Sequence, residues 1–168
     1  MKARETAQQV RTRLIEVAGR TTQDLGLGRI AGQVLGEVYL SEEPRSLDDI
    51  SRDLGLSKAS VSIAARQLES LGLLLRKWRQ GDRRNYYETA RHFGVALRDG
   101  LLQMLRQKVQ LAGTEIDAAR ALVGTTGNGH GDPSLRFIEK RLERAAKLRD
   151  RMNWLLNNPL VKMFGKQD

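Results

Sequence analysis

The sequence predicts a mainly α-helical fold with one small β-hairpin wing, a winged helix-turn-helix with long helices on either side suited to dimerisation. Three observations predict it. Between Ser46 and Leu71 two short amphipathic stretches are joined by one tight turn containing Gly55. After Gly72 the period changes from helical to extended, folding back around Gly81-Asp82. Finally, Lys58 to Arg91 holds eight basic residues against three acids, a net +5 of the chain's +9.

Taken in order, Ala3, Ala7, Val10, Leu14 and Val17 recur at helical spacing with Gln and Arg between them, a narrow stripe that fits one packed seam. Gly26-Leu27-Gly28-Arg29-Ile30-Ala31-Gly32 superficially resembles a phosphate-binding loop. A dinucleotide fingerprint needs a buried strand before it, and the preceding Gly19 to Asp24 is polar and helical. Glycines that end one helix and let the next pack closely are the better reading. The next helix, about Arg29 to Leu40, carries Ile30, Val34, Leu35 and Val38 and stops before Ser41-Glu42-Glu43-Pro44.

Ser46 is a natural N-cap for a short helix to Leu54, with Asp49 three residues on and Leu47, Ile50 and Leu54 apolar. Gly55 suits a left-handed C-terminal cap, and Ser57 caps a second helix to about Leu71. There Val61, Ala64, Ala65, Leu68 and Leu71 form the apolar face. Lys58, Ser60, Ser62, Ile63 and Arg66 fall on the other side, short near the start with one long donor, as suits a helix entering a major groove about 12 Å wide. The hairpin supplies Arg76, Lys77, Arg79, Arg83 and Arg84, cations suited to backbone and minor groove.

From Arg91 to Val123 the residues Leu101, Leu105, Val109, Ala112, Ile116, Ala119 and Val123 form a near-heptad seam on a helix of roughly 50 Å. So long a stripe cannot be buried on one small winged domain and asks for a partner. Gly124 to Pro133 reads as a solvated Gly-rich loop. His130 and Asp132 there are too few ligands for a metal, with His92 the only other imidazole. Ser134 caps a last helix to about Asn157, with Ile138, Leu142, Ala145, Leu148, Met152 and Leu155 on one face. Its other face is basic, a second candidate nucleic-acid surface for which a solvated helix face is the favoured reading, and Leu160 to Phe164 fit a short terminal helix. The domain boundaries expected are 1–25 for an N-terminal dimerisation helix, 26–90 for the winged domain and 91–168 for C-terminal dimerisation. The seams nominate Val10, Leu14, Val17, Leu105, Val109, Ala112, Ile116, Leu142 and Met152 as dimer contacts.

The chain-wide balance points the same way. A pI near 10.3 implies an anionic partner, and nucleic acid is the commonest for a basic soluble chain. No apolar run approaches the roughly 20 residues of a membrane span, and the N-terminus lacks a signal peptide's apolar core, so a cytoplasmic protein with no membrane partner is expected. There is no cysteine, hence no thiol nucleophile, thiolate metal site or disulfide. No acid pair, His-containing triad or ligand cluster stands out, so no catalytic residue, metal or cofactor is nominated.

Several runs resemble one family: Gly28-Arg29-Ile30, Tyr39 to Pro44, Ser46 to Ile50, Leu54 to Lys58, Val61-Ser62, Arg66 to Glu69, Gly72-Leu73, and Gly81-Asp82-Arg83-Arg84 with Tyr86-Tyr87-Glu88. This set, dense over residues 26–93, resembles the GbsR-like branch of the MarR-type transcriptional regulators. The resemblance implies a homodimeric regulator of transcription, a repressor or an activator, whose terminal helices interlock across two subunits. Two winged domains would then meet half-sites of a pseudo-palindromic operator about 34 Å apart. It also implies that Asp82 braces an arginine within the wing, most naturally Arg84, so that Arg83 or Arg79 enters the minor groove. A small-molecule effector held between the DNA-reading and dimerising parts is a further implication, its identity open. Trp78, Tyr86, Phe93 and Trp154 are scattered and are read as core or wing packing rather than an aromatic cage. The competing reading is an interaction module within a larger assembly, its basic faces meeting an acidic protein or RNA.

Overall fold

A computed structural model of the chain describes residues 2–125 and 132–158. The elements run α1 (Lys2–Asp24), α2 (Arg29–Tyr39), β1 (Arg45–Ser46), α3 (Leu47–Leu54), α4 (Lys58–Ser70), β2 (Leu74–Arg79), β3 (Asp82–Thr89), α5 (Phe93–Thr125) and α6 (Pro133–Asn157). They gather into two compact units, residues 1–100 and 101–168. Among the described residues no helix is long and apolar enough to cross a membrane. His130 and the tail from Pro159 lie outside the described residues.

In the first unit the apolar positions of α2, α3 and α4 meet as their spacing dictates. Val34, Ile50, Val61, Ala65 and Leu68 are fully buried, and the wing root closes over them with Leu73, Leu74 and Tyr87. The wing belongs to a three-stranded antiparallel sheet ordered β1-β3-β2, not a bare hairpin. The two-residue β1, with Arg45 opposite Tyr87 and Ser46 opposite Tyr86, is too short to leave a periodic signal.

The glycines between α1 and α2 are structural. Gly26 and Gly28 hold φ of 79° and 88°, which side-chain-bearing residues rarely adopt. Gly32 lets α2 press on α1 so closely that a Cβ there would lie 2.1 Å from the Ala18 carbonyl oxygen. The Thr22 hydroxyl crosses the same seam, donating to the Gly28 carbonyl at 2.9 Å. What precedes Gly26 is the helix α1, so this loop has none of the strand that a phosphate fingerprint requires. Because α1 docks through Ile15, Ala18, Gly19 and Thr22, its stripe of Val10, Leu14 and Val17 is left exposed.

In the second unit, α6 runs antiparallel to the α5 segment beyond Gly100. Arg106 donates to the Leu156 carbonyl at 2.7 Å, and Arg149 lies over Gly113 to reach Asp117 at 2.7 Å. Val109 and Ala146 are buried, while Ile116, Leu142 and Met152 are half-buried. Part of the long α5 stripe is thus covered by α6 of the same chain, leaving Leu105, Ala112, Ile138, Leu148 and Leu155 exposed. The cap of α6 is Asp132, not Ser134: its carboxylate accepts the Ser134 N–H at 2.8 Å, and Pro133 occupies the first turn, where its missing donor is harmless.

Candidate nucleic-acid interface

The helix-turn-helix is built by its caps. The Ser46 hydroxyl accepts the Asp49 N–H at 3.2 Å, and the Asp49 carboxylate is held below its usual range by its hydrogen bond from Ser46 and by Arg52. Gly55 ends α3 in the left-handed conformation, φ 64°. Two residues later the Ser57 hydroxyl caps α4 by accepting the Ser60 N–H at 3.2 Å. So short a turn fixes α4 across α3. With Val61, Ala64, Ala65 and Leu68 in the core, the opposite side of α4 carries Lys58, Ile63 and Arg66 in the open, with Ser60 and Ser62 half-exposed. Ile63 is 62% exposed, an apolar residue on an otherwise polar face. Lys58 pairs with Asp48 at 2.7 Å, and Arg66 Nε donates to the Ser62 carbonyl at 3.3 Å.

The wing is organised around Asp82. Its carboxylate accepts the Arg84 backbone N–H at 2.9 Å, Arg84 Nη2 at 2.6 Å and the Tyr86 hydroxyl at 2.8 Å. These donors, Arg84 foremost, hold the Asp82 carboxyl far below the ordinary carboxylate range, and the same contact raises the Tyr86 hydroxyl. The Tyr86 ring in turn carries the Arg79 guanidinium 4.4 Å from its centre. Arg79 also reaches Glu43 at 3.4 Å, Lys77 pairs with Glu88 at 3.0 Å, and Arg76 ties the wing root to Glu69 of α4 at 3.0 Å. Arg83 alone of the five nominated wing cations makes no hydrogen bond or ion pair among the described residues. The nominated wing and α4 residues therefore lie on one compact unit, linked by the Arg76–Glu69 pair.

Two features were not legible in the sequence. Glu37 of α2 has a side chain only 2% exposed and is held by Arg11 of α1 at 2.6 Å and Arg45 at 3.6 Å. Arg45 goes on to pair with Asp53, so one charge network joins α1, α2, β1 and α3. The one signal for it is an acid three residues after Val34, on the buried side of the helix. Beside it opens a cleft of about 840 Å³ lined by Arg11, Glu37, Leu40, Arg45 and Asp53. The aromatic residues, too, divide. Tyr86 is buried and Phe93 packs on Tyr39 with ring centres 4.8 Å apart, but Trp78 and Trp154 are exposed and pack into neither core nor wing. The expectation is corrected for these two: Trp78 falls where the pairing of β2 with β3 is irregular, and Trp154 sits on an outward position of α6. Among the described residues no cluster of three or more metal-capable side chains occurs.

No family model matches the chain. Among known proteins it is 25% identical over 80 residues to the HTH-type transcriptional repressor OpcR of Bacillus subtilis (strain 168), covering 48% of this chain and 43% of that protein. It is 25% identical over 114 residues to the HTH-type transcriptional repressor GbsR of the same organism, covering 68% of this chain and 63% of that protein. Over that stretch the chain resembles GbsR. Its aligned part spans about half the length of the relatives it matches. A crystal structure described as a transcriptional regulator superposes with a TM-score of 0.62 at 22% identity, over 94% of this chain and 99% of that one. That likeness shows the fold of the chain to be a mainly helical winged helix-turn-helix with a small three-stranded sheet.

Proposed function

We propose that this GbsR-like chain is a sequence-specific, homodimeric DNA-binding regulator of transcription, acting as a repressor on a pseudo-palindromic operator. The observation that carries the reading is the pairing, on one compact unit, of a serine-capped helix with an outward Lys58, Ser60, Ser62, Ile63, Arg66 face and a wing whose Arg83 is unpaired among the described residues. In this reading α4 enters the major groove, the Ser57 end meets a phosphate, and Arg83 enters the minor groove. Arg84, gripped by Asp82, stiffens the wing and presents its outer edge to the backbone.

A homodimer is supported by apolar positions that one copy leaves in water: Val10, Leu14 and Val17 on α1, and, separately, Leu105, Ile138, Leu148 and Leu155 on α5 and α6. Effector control has a physical lever in the cleft beside Glu37, since anything bound there touches the network that joins α1 to α3. The names of the relatives, both transcriptional repressors, support the regulatory role.

Selection of bound sequences from random duplexes tests the reading. The wild type should return a two-fold-related motif, and Ser62→Ala or Arg66→Ala should alter it, each base contact contributing roughly 1 to 3 kcal/mol of discrimination. No enrichment over input would sink the proposal, and an identical motif from the variants would remove those two residues as readers.

A further inference from the structure

The wing carries one large side chain for which neither the core nor the charge network provides a place. Trp78 is 72% exposed, and among the described residues its indole N–H donates to nothing. Its direction follows from the pleat. Side chains alternate across a strand, so Trp78 shares a face with Leu74 and Arg76. Leu74 is fully buried in the core and Arg76 pairs with Glu69, so this face of β2 is the one turned toward α4. Leu75, Lys77 and Arg79 take the other face, where Lys77 meets Glu88 and Arg79 covers Tyr86.

The strand pairing explains why nothing covers the indole. Regular register runs from Leu74 opposite Thr89 to Lys77 opposite Tyr86, then jumps to Arg79 opposite Asp82. One residue of β2, Trp78, therefore faces three of β3, Arg83, Arg84 and Asn85, and the ladder is broken at that point. The irregularity leaves an uncovered aromatic ring on the face of β2 that carries Arg76, opposite the β3 stretch that holds Arg83. An exposed aromatic ring on a hairpin rich in arginine matches a sugar-phosphate chain, whose sugars offer apolar edges and whose phosphates meet the cations.

We propose that Trp78 is a further DNA-contacting residue of the wing, its indole packing on a deoxyribose of duplex DNA and its N–H donating to the adjoining phosphate. The proposal rests on the DNA-binding reading above.

The chain contains two tryptophans, so Trp154→Phe leaves Trp78 as the sole indole, and Trp154 is itself exposed. This variant is titrated with random-sequence duplex at low salt. Tryptophan emission and acrylamide quenching are followed alongside the anisotropy of a labelled duplex. Binding should quench Trp78 and shield it from acrylamide. In the same background Trp78→Ala should weaken binding several-fold, with the salt slope unchanged because no cation is removed. Trp78→Phe should retain most of the affinity.

Duplex binding by anisotropy with unaltered Trp78 emission and quenching would overturn this inference and leave the DNA-binding reading standing. Absence of duplex binding at any salt would end both. Loss of binding in Trp78→Ala without shielding of the indole in the parent would mark a structural role instead, and would likewise overturn it.

Discussion

Asp82 and Arg84 stand two residues apart on the same strand, and the carboxylate of the first is gripped by both the side chain and the backbone N–H of the second. This grip falls where the strand pairing is irregular. The pair therefore acts on the shape of the wing tip, and Arg83, between them, is left outside it.

That geometry separates two neighbouring arginines. Arg83→Ala should weaken binding to all duplexes and lower the slope of log affinity against log salt by about 0.9 for each phosphate that is no longer neutralised. Arg84→Ala should weaken binding mainly by loosening the tip, and Arg84→Lys should not restore it, because a lysine cannot reproduce the forked grip on Asp82. A salt titration of the three variants decides. Equal slopes for Arg83→Ala and the wild type would remove Arg83 from the backbone or groove.

The Asp82 brace has a defined pH window. Its folded carboxyl lies well below the value of about 3.9 for an unfolded aspartate. A depressed carboxyl contributes stability that is fully present above the unfolded value and is lost as pH falls through the folded one. From pH 8 to about 5 the Asp82 carboxyl resonance should thus stay flat, and the wing should be indifferent to pH. Arg84→Gln should bring its titration back toward the ordinary range. An inflection near pH 4 in the wild-type protein would contradict the grip.

Glu37 is the acid whose removal should cost most. Taking away the buried carboxylate leaves Arg11 without its ion-pair partner, so Glu37→Ala should lower unfolding stability by about 3 kcal/mol. Urea unfolding followed by circular dichroism measures it. A loss under about 1 kcal/mol, the worth of an exposed pair, would show that water replaces the carboxylate.

Leu14 is 48% exposed in one copy, and with Val10 and Val17 it forms the α1 stripe. Light scattering should return twice the 18.9 kDa chain mass for the wild type. The double variant Val10→Asp/Leu14→Asp should return the monomer with its helical content retained, because neither residue supports the α1–α2 seam. A wild-type monomer at micromolar concentration would refute the dimer.

The helix-turn-helix was legible in the sequence because its determinants are local. Ser46, Gly55 and Ser57 act within three or four residues of themselves, and the apolar spacing of α3 and α4 names the faces that bury. The change of period after Gly72 marked the wing for the same reason. Tertiary structure alone decided the rest. Strand β1 exists only because β3 is there to pair with it, and Glu37 is satisfied by arginines 26 residues before it and eight after it in the chain. The α5 stripe is shared out by α6, and which of its apolar residues stay in water depends on where that helix lies. Trp78 is exposed because two extra residues of β3 fall opposite it. Local propensity specifies caps, turns and faces; partners distant in sequence are chosen by packing, which no single stretch of chain encodes.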